Sequence, residues 1–318
     1  MATNIDQGLT VDGVPVGGAG GFPFDAPGSH FFADSVSGND DNPGTSWTLA
    51  KKTIKAGYAL CTTNKNDVLH LIGRATEYAQ AAVLTFDKDY THIVGHTSPI
   101  PNGGRVRLTN TVTTATAGEY VISGTGCTFV NIHFQYGDSA TVTSLVGVAL
   151  SGSGRNAFIN CEFEGPFYDV NANQRMLTIT SSQDNYFRGC SFGQRTILNT
   201  QATAAVVSFN GANNTGNTFE DCTFHLYNSS TASGIINYIS GAMPTSGYTK
   251  FKRSTFLNHT SVAVADIIRN TSAADGMVIL DNCSIIGLGT TVWATNLKTN
   301  IFVTVAVGAA TGGKGVNP

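Results

Sequence analysis

Charge is scarce in this chain: Asp, Glu, Lys and Arg make up 12% of its 318 residues, about half the share of an ordinary soluble protein. Gly, Ser, Thr and Asn stand in their place. That composition suits short strands and frequent turns, and gives little to long helices, which draw on Glu, Lys, Arg and Ala. A basic excess is missing too. The formal net charge is −3, so no positive surface offers itself to a phosphate backbone, and nucleic acid is not expected as a partner. No apolar run approaches the roughly 18 residues of a membrane span, so membrane insertion is not expected. The opening stretch, MATNIDQGLTVDGVPVGGAGG, has neither the basic nor the apolar region of a secretory signal. Synthesis and folding in a cytosol are therefore expected, with the six cysteines kept as thiols.

What the chain does have is a repeat. Six hexapeptides share one frame: FVNIHF (129–134), FINCEF (158–163), FRGCSF (187–192), FEDCTF (219–224), FKRSTF (251–256) and LDNCSI (280–285). Their last residues are separated by 29, 29, 32, 32 and 29 positions. A second strand recurs between them and ends in a small polar turn: VGVALSG (146–152), MLTITSS (176–182), VVSFNG (206–211), IINYISG (235–241) and DIIRNTS (266–272). A near-constant period of this length signifies stacked units. Leucine-rich, ankyrin and helical-hairpin signatures are absent, and a propeller of the WD type needs longer four-stranded units. A coil of short parallel strands remains.

In that frame the first apolar residue points inward and the next outward. The third sits on a sharp bend, and the Cys and final apolar residue point inward from a second strand. The bend position reads Asn131, Asn160, Gly189, Asp221, Arg253 and Asn282. Asn, Asp and Gly tolerate the left-handed conformation a bend needs, and stacked Asn side chains can bond rung to rung; Arg253 is expected to interrupt that row. The outward position reads Val130, Ile159, Arg188, Glu220, Lys252 and Asp281. Its last four members alternate in sign, as stacked charges should. Cys161, Cys190, Cys222 and Cys283 share one inward position. In-register Cβ atoms about 4.8 Å apart are too distant for disulfides, and a row along an axis does not converge on zinc. Thiols filling a narrow core are the better reading.

Here the pattern resembles the right-handed parallel β-helix of the pectate-lyase and tailspike type, with its asparagine ladder. SVSGNDDNPGTSWTLAKKTI resembles the capping segment that precedes the first rung in many such proteins. Trp47, Leu49, Ile54 and Tyr58 recur at helical spacing, with Lys51, Lys52 and Lys55 opposite, so 48–62 is expected to form an amphipathic capping helix. The fold class expected is all-β, a parallel β-helix with that N-terminal cap and an extended N-terminal arm. The division expected is a Gly/Pro-rich docking arm (1–29), a strand, loop and capping helix (30–66), the coil (67–300) and a C-terminal cap or tail (301–318).

Chemistry is harder to find. The resemblance implies saccharide binding along one face of the coil, with clustered carboxylates for Ca²⁺ in lyases or a carboxylate pair in glycosidases. Glu162 lies between His133 and Ser191 in the ladder, and Glu220 is separated from Asp281 by Lys252. The best remaining cluster is Glu162, Glu164, Asp169 and His133, read as a solvated rim. Asp34, Asn39, Asp40, Asp41 and Asn42 lack EF-hand spacing and read as a turn. His92 and His96, four apart on a strand, do not face one another as they would on a helix. No catalytic residue, metal or cofactor is therefore assigned.

The whole organisation resembles bacteriophage virion proteins, in which a short arm docks on the particle and a β-helix projects, commonly as a trimer. The function expected is non-enzymatic: a capsid decoration or head-fibre protein located in the virion, trimeric, docked on the major capsid protein or another virion protein through residues 1–29. A receptor-binding tailspike, with a host surface glycan as partner and possible depolymerase activity, is the second reading. A free lyase or hydrolase is the third.

Overall fold

The computed structural model describes residues 10–11, 14–15, 27–97, 105–112, 118–137, 146–152, 154–166, 174–200, 205–239, 247–260, 267–270, 276–287, 301–303 and 314–315. The chain is a parallel β-helix with three faces. One sheet of eleven strands runs from His30–Ala33 to Lys314–Gly315, a second of eight from Tyr78–Gln80 to Ser284–Gly287, and a third of seven from Leu84–Phe86 to Ile268–Asn270. All pairings within these three sheets are parallel between successive rungs. A separate antiparallel pair joins Thr10–Val11 to Val14–Pro15. Most of the arm (1–29) and of the tail (301–318) lies outside the described residues.

The hexapeptide frame sets this geometry. Phe129, Phe158, Phe187, Phe219, Phe251 and Leu280 pair in register on the first sheet. Their rings stack 4.5 to 5.0 Å apart from Phe129 to Phe251, all buried. A second stack, Phe134 to Phe256, runs on the second sheet at 4.7 to 5.3 Å. Each such pair adds roughly 0.5–1.5 kcal/mol to the area it buries. Between the two sheets every bend residue is left-handed, with φ from 48° to 61° across Asn131, Asn160, Gly189, Asp221, Arg253 and Asn282. Asn160 Nδ2 donates to Asn131 Oδ1 at 2.5 Å. The amide row ends sooner than expected, at Gly189, and Arg253 makes a fork of bonds to Asp221 at 2.7 and 2.9 Å instead.

All six cysteines are free. Four do more than fill space. The thiols of Cys161, Cys190, Cys222 and Cys283 point at the carbonyl oxygens of Phe129, Phe158, Phe187 and Phe251 at 3.3 to 3.6 Å. Ser254 makes the same bond to Phe219 O at 3.3 Å, which explains how a hydroxyl stands in the fifth rung. Burial pushes the thiols of Cys161 and Cys190 well above their ordinary range, so they are inert while folded.

The cap is shorter than the expected 48–62 helix. A 3-10 turn covers Trp47–Leu49, and the α-helix spans only Ile54–Leu60. Thr53 is its N-cap, accepting from Ala56 N, and Asp40 holds the Thr53 corner by accepting from the amides of Lys52 and Thr53 and from the Thr53 hydroxyl. These bonds start the helix late, and Ala50 is extended. Ile54 and Tyr58 are buried as their spacing implies, whereas Trp47 and Leu49 remain 39% and 45% exposed. Gly57 lies so close to the first rung that a Cβ there would sit 2.7 Å from Leu69 Cδ1.

Candidate functional site

On the outer side of the second sheet, Arg107, His133, Glu162 and Ser191 stand in register on successive rungs. Glu164, two residues beyond Glu162 on the same short strand, faces the same way. Such outward positions are normally wet, yet His133, Glu162 and Glu164 are only 5%, 1% and 8% exposed. The solvated rim expected for this cluster is therefore a correction to make: these groups are buried, and their charges are compensated. Asp169 lies outside the described residues.

Two arginines supply the compensation. Arg105, just before its strand, donates Nη1 to Glu162 Oε2 at 3.0 Å, and Nε and Nη2 to Asn160 O and Oδ1 at 2.6 and 3.0 Å. The bend residue thus fixes the guanidinium that fixes the carboxylate. Arg195 reaches Glu162 Oε1 from the loop after Ser191–Gly193, and its Nε stands 3.9 Å from Glu164 Oε1. His133 lies between the carboxylates, with Nε2 3.0 Å from Glu164 Oε2 and Nδ1 3.9 Å from Glu162 Oε2. The 3.0 Å approach is off the line a hydrogen bond requires, and neither ring nitrogen closes one. Burial opposes ionisation of Glu164, but contact with His133 and the positive charge of Arg195 outweigh it and hold its carboxyl below the usual value.

The cluster opens on a cavity of about 450 Å³, whose lining includes His133, Glu162, Glu164 and four arginines, Arg74, Arg105, Arg107 and Arg195. Arg74 is anchored on Asp34 at 2.7 Å and Arg107 on Ala75 O at 3.0 Å, with side chains 41% and 43% exposed. The donor atoms of His133, Glu162 and Glu164 fall within 4.8 Å of one another, the spacing of a divalent-cation site. Both oxygens of Glu162 already accept from guanidinium groups, so a cation would have to displace Arg105 and Arg195. Arg74 and Arg107 present half-exposed guanidinium donors to the cavity, which suit an anionic ligand better than a cation.

The other sequence candidates serve structure. Asp34 accepts from the amides of Val36 and Ser37, Asn39 from Asp41 N, and Asp40 caps Thr53. His92 and His96 do not meet: His92 stands 3.4 Å from Asn66 Oδ1, whereas His96 joins His70 at 2.7 Å, and His70 joins His30 at 2.8 Å. Sequence reasoning missed Arg105, Arg107 and Arg195. Extending the ladder one rung upstream from His133 would have found Arg107, and Arg105 opposite the bend residue Asn131; Arg195 reaches the site from a loop.

No family model matches the sequence, and no curated protein matches it. Solved structures of the same fold do. A crystal structure of pectate lyase Pel9A shares 13% identity at a TM-score of 0.49, covering 86% of this chain and 74% of the lyase. A pectin methylesterase from Yersinia enterocolitica shares 13% identity at 0.48, covering 83% and 94%. Tailspike protein 2 of the Escherichia coli bacteriophage CAB120 shares 13% identity at 0.31, covering 77% and 46%. The expectation of a non-enzymatic protein is corrected by these findings: structures similar to this chain include a pectate lyase and pectin methylesterases. At such identities the likeness is one of fold and assigns no role to any residue here.

Proposed function

We propose that this chain is a receptor-binding β-helix protein of a bacteriophage virion that grips an acidic host polysaccharide in the arginine-lined cavity and cleaves it there. The observation that carries the reading is the cavity itself: four of the chain's nine arginines line it together with a buried His–Glu–Glu cluster, and two of them bind that cluster. A guanidinium fork matches a carboxylate in shape and charge, and two forks whose anchors leave them half exposed can still reach a ligand. Arg74 and Arg107 have carboxylate partners of their own, Asp34 and Glu77, yet their side chains stay 41% and 43% exposed and keep N–H donors for a uronate. The virion setting, trimeric assembly and docking through residues 1–29 rest on the organisation of the sequence and are part of the proposal.

The chemistry that suits the cluster is β-elimination. His133, whose Nε2 lies 3.0 Å from Glu164 Oε2 and whose Nδ1 stands 3.9 Å from Glu162 Oε2, takes the proton from the carbon next to the uronate carboxylate through Nδ1. The electron pair of that C–H bond forms the new C=C bond as the glycosidic C–O bond breaks, and its electrons leave with the oxygen, which takes a proton from water while the imidazolium returns its own to solvent. Glu164 beside the imidazole stabilises the cation that forms, and the cavity arginines offset charge building on the uronate. Hydrolysis needs a carboxyl free to give a proton; both oxygens of Glu162 accept from guanidinium groups and Glu164 lies against His133 and Arg195.

The test is incubation of the purified chain with a panel of uronate-containing and neutral polysaccharides. Shortened acidic chains bearing unsaturated ends are expected, with neutral chains untouched. Failure to bind or shorten any acidic polysaccharide overturns the reading. Deleting residues 1–28 tests the docking arm separately: particles carrying the full protein should lose it, and unchanged association contradicts the arm's role.

A further inference from the structure

Glu162 accepts from two guanidinium groups that are held in opposite ways. Arg105 has a side chain 2% exposed and is tied by three hydrogen bonds to Asn160 and Glu162. Arg195 is 21% exposed, and its guanidinium meets only carboxylates in the described contacts, Glu162 closely and Glu164 at 3.9 Å. The backbone beneath Arg195 is nevertheless rigid. Gln194, 1% exposed, accepts through Oε1 from the amides of Arg195, Thr196 and Ile197 at 2.8, 2.9 and 3.3 Å, and donates through Nε2 to Pro166 O at 3.3 Å. Gly193 before it has φ +108°, and a Cβ there would fall 2.0 Å from His225 O. The loop is pinned while the side chain it carries is half free.

We propose that Arg195 is the specificity-determining residue of the cavity: it exchanges its ion pair with Glu162 for one with the carboxylate of the bound saccharide, while Arg105 stays on Glu162. The inference rests on the acidic-polysaccharide reading and deepens it. In the free protein Glu162 occupies Arg195 as an internal copy of the ligand's carboxylate. Exchange replaces one Arg–carboxylate pair by another, and Arg105 spares Glu162 the large penalty of an uncompensated buried charge. A neutral sugar offers nothing to exchange for, so it leaves Arg195 where it is. Gln194 is the positioning residue, setting the point from which Arg195 swings.

The test is titration with a galacturonate oligomer and with its carboxyl-reduced, neutral counterpart. Arg195→Gln should weaken binding of the acidic oligomer by roughly 10- to 100-fold, the worth of a charge-assisted hydrogen bond, and leave the neutral one unchanged. Arg195→Lys, which keeps charge without the fork, should fall between, and Gln194→Ala should show a smaller loss in the same direction. Glu162→Gln, which removes the internal competitor, should bind the acidic oligomer more tightly than the native chain. If the native chain prefers the acidic oligomer but Arg195→Gln binds it equally well, the exchange is wrong and the site reading stands. If Glu162→Gln binds no tighter, the internal-competitor role is wrong. If the native chain shows no preference for the acidic oligomer, both readings fall together.

Discussion

On the first sheet, Arg188, Glu220, Lys252 and Asp281 stand one rung apart and face water; on the second, Arg107, His133 and Glu162 stand in the same kind of register, and the last two are buried. The outer row makes ordinary surface pairs, Glu220 with Lys252 at 3.0 Å and Lys250 with Asp281 at 3.2 Å. The buried row is compensated from outside its own ladder by Arg105 and Arg195. Equal stacking therefore does not mean equal function. Removal from water raises the stakes of the buried row, because each charge there must keep its partner, whereas the exposed row is screened by solvent.

The largest effect expected separates the rows by stability. Glu162→Ala strands buried Arg105 and should destabilise the fold by about 3–5 kcal/mol in denaturant titrations. A loss under about 1 kcal/mol, the range of an exposed pair, would erase the distinction.

Acid should separate them by window. Burial first, then the neighbouring imidazoles His96 and His30, lower His70 to about 4; burial, then His259 and Arg195, do the same for His225. Each imidazole is neutral when folded and protonates near 6.5 when unfolded, so the stability it contributes is present above 6.5 and is lost as pH falls toward 4. Glu220 is lowered from 4.5 to about 2, first by the Tyr186 hydroxyl and then by Lys252 and Arg253, so its contribution is lost only as pH falls from 4.5 toward 2. His225→Asn should flatten the upper part of the denaturation midpoint's pH curve and leave the lower part; Glu220→Gln should do the reverse. An unchanged upper slope in His225→Asn would contradict the buried-imidazole account.

The smallest effect belongs to the surface row. Glu220→Gln near neutral pH should cost no more than about 1 kcal/mol, and added salt should shrink the difference. A cost as large as that of Glu162→Ala would mean that exposure does not divide the two rows.

Much of this architecture was legible because short-range rules impose it. The bend residues, the inward Phe columns and the shared thiol position follow from a period and from the conformations Asn, Asp and Gly tolerate. The capping helix was drawn too long, since Asp40, outside the helical pattern, decides where it starts. The carboxylates and His133 of the candidate site were found, but their burial was not. Arg105 precedes Val106, which pairs with Ile132, so the register sets it opposite the bend residue Asn131, a position the hexapeptide frame did not extend to; Arg195 comes in on the loop after Ser191–Gly193, 33 residues from Glu162. The path of that loop brings Arg195 in, and a loop path leaves no periodic trace.

The central claim is that the buried row acts and the exposed row supports. Its most direct test is the rate at which an acidic polysaccharide is shortened by the native chain, His133→Gln and Glu220→Gln, measured side by side on folded protein. His133→Gln should lose at least about 100-fold, the contribution of a positioned proton acceptor, with Glu220→Gln indistinguishable from native. Equal rates for His133→Gln and the native chain would contradict the account.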